Sequence, residues 1–375
     1  MSTPTPALAY RRITPGAAPR HIGATPRAVR EIGKLDGADP AGIRYLSPLR
    51  YPGAKSGLAA AIGELVASAS RSLGRPSLFV EPFAGGASTS LRLVSSGLVD
   101  RVLLADADPL VARFWQIAAA ETDWLIDRML DEPITLQRWD YWRSWQPRSR
   151  DDREVAVKCL FLNRTTFSGI LHGRAGPIGG RKQESPYKID CRFNKENLAE
   201  RLRVVGRLYA GNRIVDVWCK DWRETLDDVT EWYPHLLPDK VISYLDPPYI
   251  DKSERLYGRS FDPGGGYAMQ EAAWTDGLAH HRLAEYLRRE AQHRWILSYD
   301  NHPDLTADPG LYAARRMTPR DDLLRVRAWR ISRRLVDLHY TVSSNMRNRR
   351  RELLLTTLPP ARVPANERFI SPEDP

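Results

Sequence analysis

The sequence predicts an α/β fold: a mainly parallel sheet that ends in an antiparallel hairpin and is interrupted by a mostly helical insertion. Three observations predict it. Short apolar runs bounded by turn residues recur along the chain, and helical periodicity separates several of them. Within each run the apolar residues are consecutive rather than alternating, as in strands buried on both faces.

Five runs make up the parallel part: "LFVE" at 78–81, "RVLLAD" at 101–106, "RIVDVWC" at 213–219, "VISYLD" at 241–246 and "RWILSYD" at 294–300. Ahead of the third, "NKENLAERLRVVGRLYAG" sets Leu198, Leu202 and Val205 on one helix face between a capping Asn194 and a stopping Gly211. Ahead of the fifth, "HRLAEYLRRE" places Leu283 and Leu287 one turn apart, with Asp276 upstream as a cap. "RRLVDLHYTV" and "RELLLTTL" flank the basic "SSNMRNRR" and predict the closing antiparallel pair. The stretch from about 110 to 212 breaks this rhythm with Trp, Arg and Gly. The division that follows is a disordered basic arm at 1–44, one α/β domain from 45–110 and 213–360, a mostly helical inserted domain at 111–212, and a flexible tail at 361–375.

A net charge of +10 on 375 residues makes a polyanion the default partner, nucleic acid ahead of an anionic membrane surface. No apolar run reaches the length of a membrane span, and the N-terminal residues lack the compact apolar stretch of a secretory signal. The expectation is a soluble, cytoplasmic protein. Cys159, Cys191 and Cys219 are far apart and form no C-x-x-C pair, and His280, His281 and His302 have no ligand spacing with the acids. No metal is expected.

Open α/β sheets collect ligands at the carboxyl ends of their strands. Glu81 opens "EPFAGGAS", Asp106 and Asp108 close "LLADAD", Asp221 follows "VWCK", and Asp246 opens "DPPY". The turn at Gly85–Gly86 suits either a close-approaching ligand or a plain strand-to-helix corner. Asp106, about twenty residues on, fits either a ribose-binding acid or a cap for "PLVARFW". "DPPY" is equally a proline turn closing a strand or a rigid clamp. Each proline fixes φ and stiffens the residue before it, so the Asp246 carboxylate and the Pro247 carbonyl converge on one point. Such a pair can hold both N–H groups of an exocyclic base amine, on which Tyr249 can stack, orienting its nitrogen for attack on an electrophile.

In this order the motifs resemble the Dam-type (class alpha) family of adenine-specific DNA methyltransferases. "RYPGAK" is similar to the family's N-terminal cofactor motif and "FVEPFAGGAS" to its glycine motif. "LADADP" is similar to its ribose-contacting acid, "LDPPY" to its catalytic motif, "FLNRTTFSGIL" to its Asn-Arg segment and "SSNMRNRRRELLL" to its late basic hairpin. The resemblance spans roughly 47–358. It implies a Rossmann-like methyltransferase sheet and S-adenosyl-L-methionine as donor, with S-adenosyl-L-homocysteine as product. It implies Asp246, Pro247, Pro248 and Tyr249 as catalytic, and Tyr51, Lys55, Glu81, Phe83, Gly85, Asp106 and Asp246 as cofactor contacts, with Asp221 and Trp222 a looser match at the cofactor's adenine. The pattern carries glycine where this chain has Ala54 and Ala87.

Double-stranded DNA is the expected partner, its target base flipped out of the stack. Asn163, Arg164, Phe167, Arg174, Arg181 and Lys182 lie in a Gly/Arg stretch suited to following phosphates, or simply to being a solvated loop. Arg347 and Arg349 belong to a second basic cluster. The loop after the clamp, 251–270, is expected to close on substrates. Amino-cytosine or RNA-base methylation, and a catalytically silent DNA binder, are the competing readings. A monomer is expected, with restriction or defence-system proteins as candidate partners.

Overall fold

Leu78–Glu81 (β1), Arg101–Ala105 (β2), Ile214–Trp218 (β3), Val241–Leu245 (β4) and Arg294–Asp300 (β5) form parallel neighbours in a computed structural model. The structure describes residues 46–50, 56–148, 151–172, 175–248, 278–300, 311–312, 329–339, 349–359 and 369–370. Ser332–His339 (β6), Arg349–Thr356 (β7) and Phe369–Ile370 (β8) complete one eight-stranded sheet in the order β3-β2-β1-β4-β5-β7-β6-β8. The predicted hairpin is present, and β7 inserts antiparallel between β5 and β6. One expectation fails: β8 falls in the stretch read as a flexible tail, yet it pairs with β6. Two residues are too short for a periodicity signal, and the pairing covers backbone groups β6 would otherwise leave open.

The consecutive apolar residues are divided between two faces by strand alternation. Phe79, Val102 and Leu104 point into a large core shared with Ser56–Leu73 (α1), Ser88–Ser95 (α2) and the helices of the insertion. Leu78, Val80, Leu103 and Ala105 point the other way, towards Trp222–Trp232 (α3), and farther along that face Leu297 and Leu355 meet Leu278–Arg289 (α4).

Five helices occupy much of residues 109–210: Pro109–Ala120 (α5), Thr122–Asp131 (α6), Leu136–Ser144 (α7), Asp152–Thr165 (α8) and Lys195–Ala210 (α9). Asn194 caps α9 by accepting from the Asn197 N–H at 2.7 Å, and Gly211 follows its last turn. These helices share their buried cluster with β1, β2 and β3. Between α6 and α7 the buried Glu132 carboxylate accepts from Arg138 Nε (2.5 Å), Arg128 Nη1 (2.6 Å) and Trp142 Nε1 (2.8 Å), tying the two helices together. The guanidinium and indole donors outweigh its burial and hold its pKa below the ordinary carboxylate range. Among the described residues, no helix is long and apolar enough to cross a membrane.

Candidate active site

From β1 the sheet runs through β2 to β3 on one side and through β4 to β5 on the other. The strand order reverses between β1 and β4, and in open α/β sheets that reversal leaves a crevice beyond the strand ends. Glu81 ends β1, Asp106 follows β2 and Asp246 follows β4. Three carboxylates therefore converge there.

Glu81 is 4 % exposed and accepts from the Ser90 N–H at 3.2 Å. Burial pushes its pKa up to about 8, with the negative charges of Asp246 and Asp106 adding to the rise. Asp106 rises to about 7, first through burial and then through Asp108, against the lowering effect of two backbone N–H donors. Those donors are Gly85, to Oδ2, and Asp108, to Oδ1, both at 2.9 Å, so the carboxylate plane is fixed. The cap of α5 is Asp108 rather than Asp106: Oδ1 of Asp108 accepts from the Leu110 N–H at 3.0 Å, while Oδ2 meets His172 Nε2.

The glycine turn is held by the Ala84 N–H to the Ala105 carbonyl (2.9 Å) and by Trp115 Nε1 to the Gly85 carbonyl (2.8 Å). Gly85 has φ 44° and Ala87 φ 46°. Left-handed backbone favours glycine, so the position where the family pattern has glycine and this chain alanine is one where the substitution carries a conformational cost.

Asp246 is half-buried, Pro247 buried and Pro248 half-buried. Ser298 Oγ on β5 donates to Asp246 Oδ1 at 3.0 Å and lies 3.0 Å from the Tyr244 hydroxyl on β4. With the serine hydrogen directed to Asp246, the tyrosine supplies its own to Ser298. Burial, then the Asp246 charge, keeps that phenol protonated far above its usual range. Sequence reasoning missed this relay; its signal is the polar Ser298 in the otherwise apolar start of "RWILSYD". Tyr51, Lys55, Tyr249 and the loop at 251–270 lie outside the described residues.

Asp221 and Trp222 have structural work. Asp221 Oδ1 caps α3 by accepting from Arg223 N (2.8 Å) and Glu224 N (2.9 Å). Trp222 is 1 % exposed, edge-on to Tyr286. Phe83 is half-buried against the same apolar cluster.

Asn163 was expected on a DNA-following loop, and the structure corrects this. It sits near the end of α8, 0 % exposed, where Oδ1 accepts from Arg50 N (2.6 Å) and Nδ2 donates to the carbonyls of Arg50 (2.5 Å) and Gly169 (3.1 Å). Gly169 has φ 76°, and a Cβ there would stand 2.6 Å from the Arg50 carbonyl. Arg164, 7 % exposed, is on the same helix rather than a loop, its Nε donating to the Pro48 carbonyl at 2.7 Å. The signal lay in "VAVKCLFLNRTT", where an uninterrupted buried run reaches Asn163 and Arg164 before any turn residue. Phe167 is 67 % exposed; Lys182 is exposed, as is Arg181, which is paired with Asp140 at 2.7 Å. Arg174 and Arg347 lie outside the described residues, and Arg349 is placed only by its backbone, opposite His339.

Residues 51–205 match the family model of D12 class N6 adenine-specific DNA methyltransferases. Over that span the chain is similar to D12-class sequences. A stretch of 95 residues is 33 % identical to the Type II methyltransferase M.CviBI of Paramecium bursaria Chlorella virus NC1A, covering 25 % of this chain and 35 % of that relative. The match thus spans about a third of the relative's length. The matched segment contains Glu81, Gly85 and Asp106 and stops short of Asp246. The fold closes that gap, since β4 lies directly beside β1 and the Asp246 charge acts on Glu81.

The acid set also bears on what the crevice can hold. Among the described residues no three His, Cys, Asp or Glu side chains are grouped as metal ligands. The charges of Asp246 and Asp106 both act on the buried Glu81, and an organic cation beside them would offset that repulsion.

Proposed function

We propose that this protein moves a methyl group from S-adenosylmethionine to the exocyclic amino nitrogen of adenine in double-stranded DNA. The observation that carries the reading is the convergence of Glu81, Asp106 and Asp246 at the sheet reversal, on a chain of net charge +10 whose 51–205 segment matches the D12 class. A negative pocket in a positive protein suits a cationic donor beside a polyanionic substrate. Bound there, S-adenosylmethionine supplies a methyl group on a positively charged sulfur.

The chain's own residues do the rest. Asp106, fixed by two N–H donors, accepts from the donor's ribose hydroxyls with its remaining lone pairs. Glu81, Phe83 and Gly85, with Tyr51 and Lys55, complete that side, and Asp221 and Trp222 border the adenine end. Asp246, oriented by Ser298, and the Pro247 carbonyl take the two N–H groups of the target amine, and Tyr249 stacks on the base. A base amine is already neutral, so positioning and electrostatics suffice without a strong general base. The helical segment 111–212 serves target recognition in this reading, with Phe167, Arg181 and Lys182 as its exposed candidates.

Nucleoside mass spectrometry of treated DNA tests the proposal: N6-methyladenine is expected, and methylcytosine or unchanged DNA would refute it. Asp246→Ala should abolish the product while retaining most nonspecific DNA affinity, because phosphate contacts dominate that affinity.

A further inference from the structure

His172 comes from the insertion, yet its side chain ends among the strand acids. After α8 the backbone is tied in pairs, the Ile178 N–H donating to the Thr165 carbonyl at 2.8 Å and the Phe167 N–H to the Gly176 carbonyl at 3.0 Å. Two further points fix the turn between them. Asn163 Nδ2 donates to the Gly169 carbonyl, and Arg143 Nη1 on α7 donates to the Leu171 carbonyl at 2.8 Å. Leu171 itself is buried in the main core. From this anchored position the next residue, His172, reaches Asp108, 64 positions earlier in the chain: its Nε2 meets Oδ2. An ionised carboxylate only accepts, so Nε2 carries the hydrogen. The two side chains are 23 % and 17 % exposed, which leaves little water to compete for the contact.

Asp108 is the junction on the cofactor side. Its N–H donates to Asp106 Oδ1 at 2.9 Å, and its Oδ1 caps α5 through the Leu110 N–H. That helix returns Trp115 Nε1 to the Gly85 carbonyl, and the Gly85 N–H donates to Asp106 Oδ2. One continuous hydrogen-bonded path therefore runs from His172 through Asp108 to the ribose-side acid. Capping α5 needs only one carboxylate oxygen. The contact with His172 holds the other, and with both oxygens engaged the Asp108 side chain has a single rotamer and its backbone a fixed direction.

We propose that His172 is a positioning residue of the cofactor site: by holding Asp108 it keeps the Asp108 N–H on Asp106 and so fixes that carboxylate for the ribose hydroxyls of the donor. The insertion then builds part of the cofactor site, in addition to its assignment to target recognition. This rests on the S-adenosylmethionine part of the proposed function.

The test uses the full chain and compares the unaltered protein with His172→Ala and with His172→Gln, whose side-chain amide places an N–H donor near the original Nε2. S-adenosylmethionine affinity is read by calorimetry, duplex affinity by fluorescence anisotropy, and melting curves confirm that each variant is folded. Losing a hydrogen bond to a shielded carboxylate should weaken S-adenosylmethionine binding about tenfold in His172→Ala. The KM for S-adenosylmethionine should rise by a similar factor with kcat within about twofold, and duplex affinity should not change. His172→Gln should recover most of the loss. Asp108→Asn keeps a capping oxygen, should show the same loss alone, and should add nothing to His172→Ala, as expected of two residues acting through one contact.

Unchanged S-adenosylmethionine affinity in folded His172→Ala overturns the inference, and so do additive effects in the double variant. Equal losses in the Ala and Gln variants with lowered melting in both would make His172 a packing residue and also overturn it. Lost duplex affinity at unchanged S-adenosylmethionine affinity would give His172 to the nucleic acid instead. Any of these with normal S-adenosylmethionine binding by the unaltered protein removes this inference alone, whereas no binding by the unaltered protein would remove the proposed function and the inference with it.

Discussion

Replacing Asn163 with leucine separates a structural latch from a DNA contact. The side chain is fully buried and serves three backbone groups: the N–H and carbonyl of Arg50 and the carbonyl of Gly169. Leucine fills a similar volume and serves none of them. Arg50 is half-buried, so water partly replaces its two bonds, at about 0.5–1.5 kcal/mol each. Gly169 is buried, and stranding its carbonyl costs about 1–3 kcal/mol. The total is about 2–6 kcal/mol, a large share of the stability of an ordinary domain. Urea denaturation should show the midpoint falling accordingly. S-adenosylmethionine affinity by calorimetry should fall with it, because Tyr51 follows Arg50 directly. A midpoint within about 0.5 kcal/mol of the unaltered protein, as for a surface change, would refute the latch, above all if duplex affinity alone were lost.

Three further outcomes follow from the same geometry. Ser298→Ala removes a hydrogen bond to the Asp246 carboxylate and should lower kcat about tenfold, with S-adenosylmethionine affinity unchanged and partial recovery in Ser298→Thr; an unaltered kcat would dismiss the relay. Glu81 and Asp106 have folded pKa values raised to about 8 and about 7, so the folded chain keeps protons that the unfolded chain releases. Stability should therefore fall by a few kcal/mol as pH rises from about 4.5 towards 8, and Glu81→Gln should flatten the melting profile over that window; an equally steep profile would count against the assignment. Glu132→Leu strands Arg128, Arg138 and the Trp142 indole, and should cost about 3–5 kcal/mol in thermal unfolding, so a change under 1 kcal/mol would contradict its role as a hub.

Much of the sheet was legible because strands buried on both faces announce themselves as unbroken apolar runs, and all five predicted parallel strands are found. The acids at their ends were legible for a related reason, since a carboxylate directly after such a run has few places to be except the strand's carboxyl end. What the sequence concealed were roles decided by distant partners. Asp106 and Asp108 are interchangeable as letters, and only the position of the Gly85 N–H separates the crevice acid from the helix cap. Asn163 and Arg164 look like loop residues beside a Gly/Arg stretch, yet their partners stand about 113–116 positions away. Ser298 depends in the same way on a strand pairing that no local pattern encodes.

The pairing of β1 with β4 has a consequence for biogenesis. Leu78 meets Val241, so one edge of β1 waits while roughly 160 more residues leave the ribosome, on the order of ten seconds or more at typical translation speeds. Throughout that interval a strand destined to be fully buried has one flank uncovered, which is a template for unwanted partners. The nascent helices that share its core are the natural shield, and a shortage of chaperones should tell on this step first.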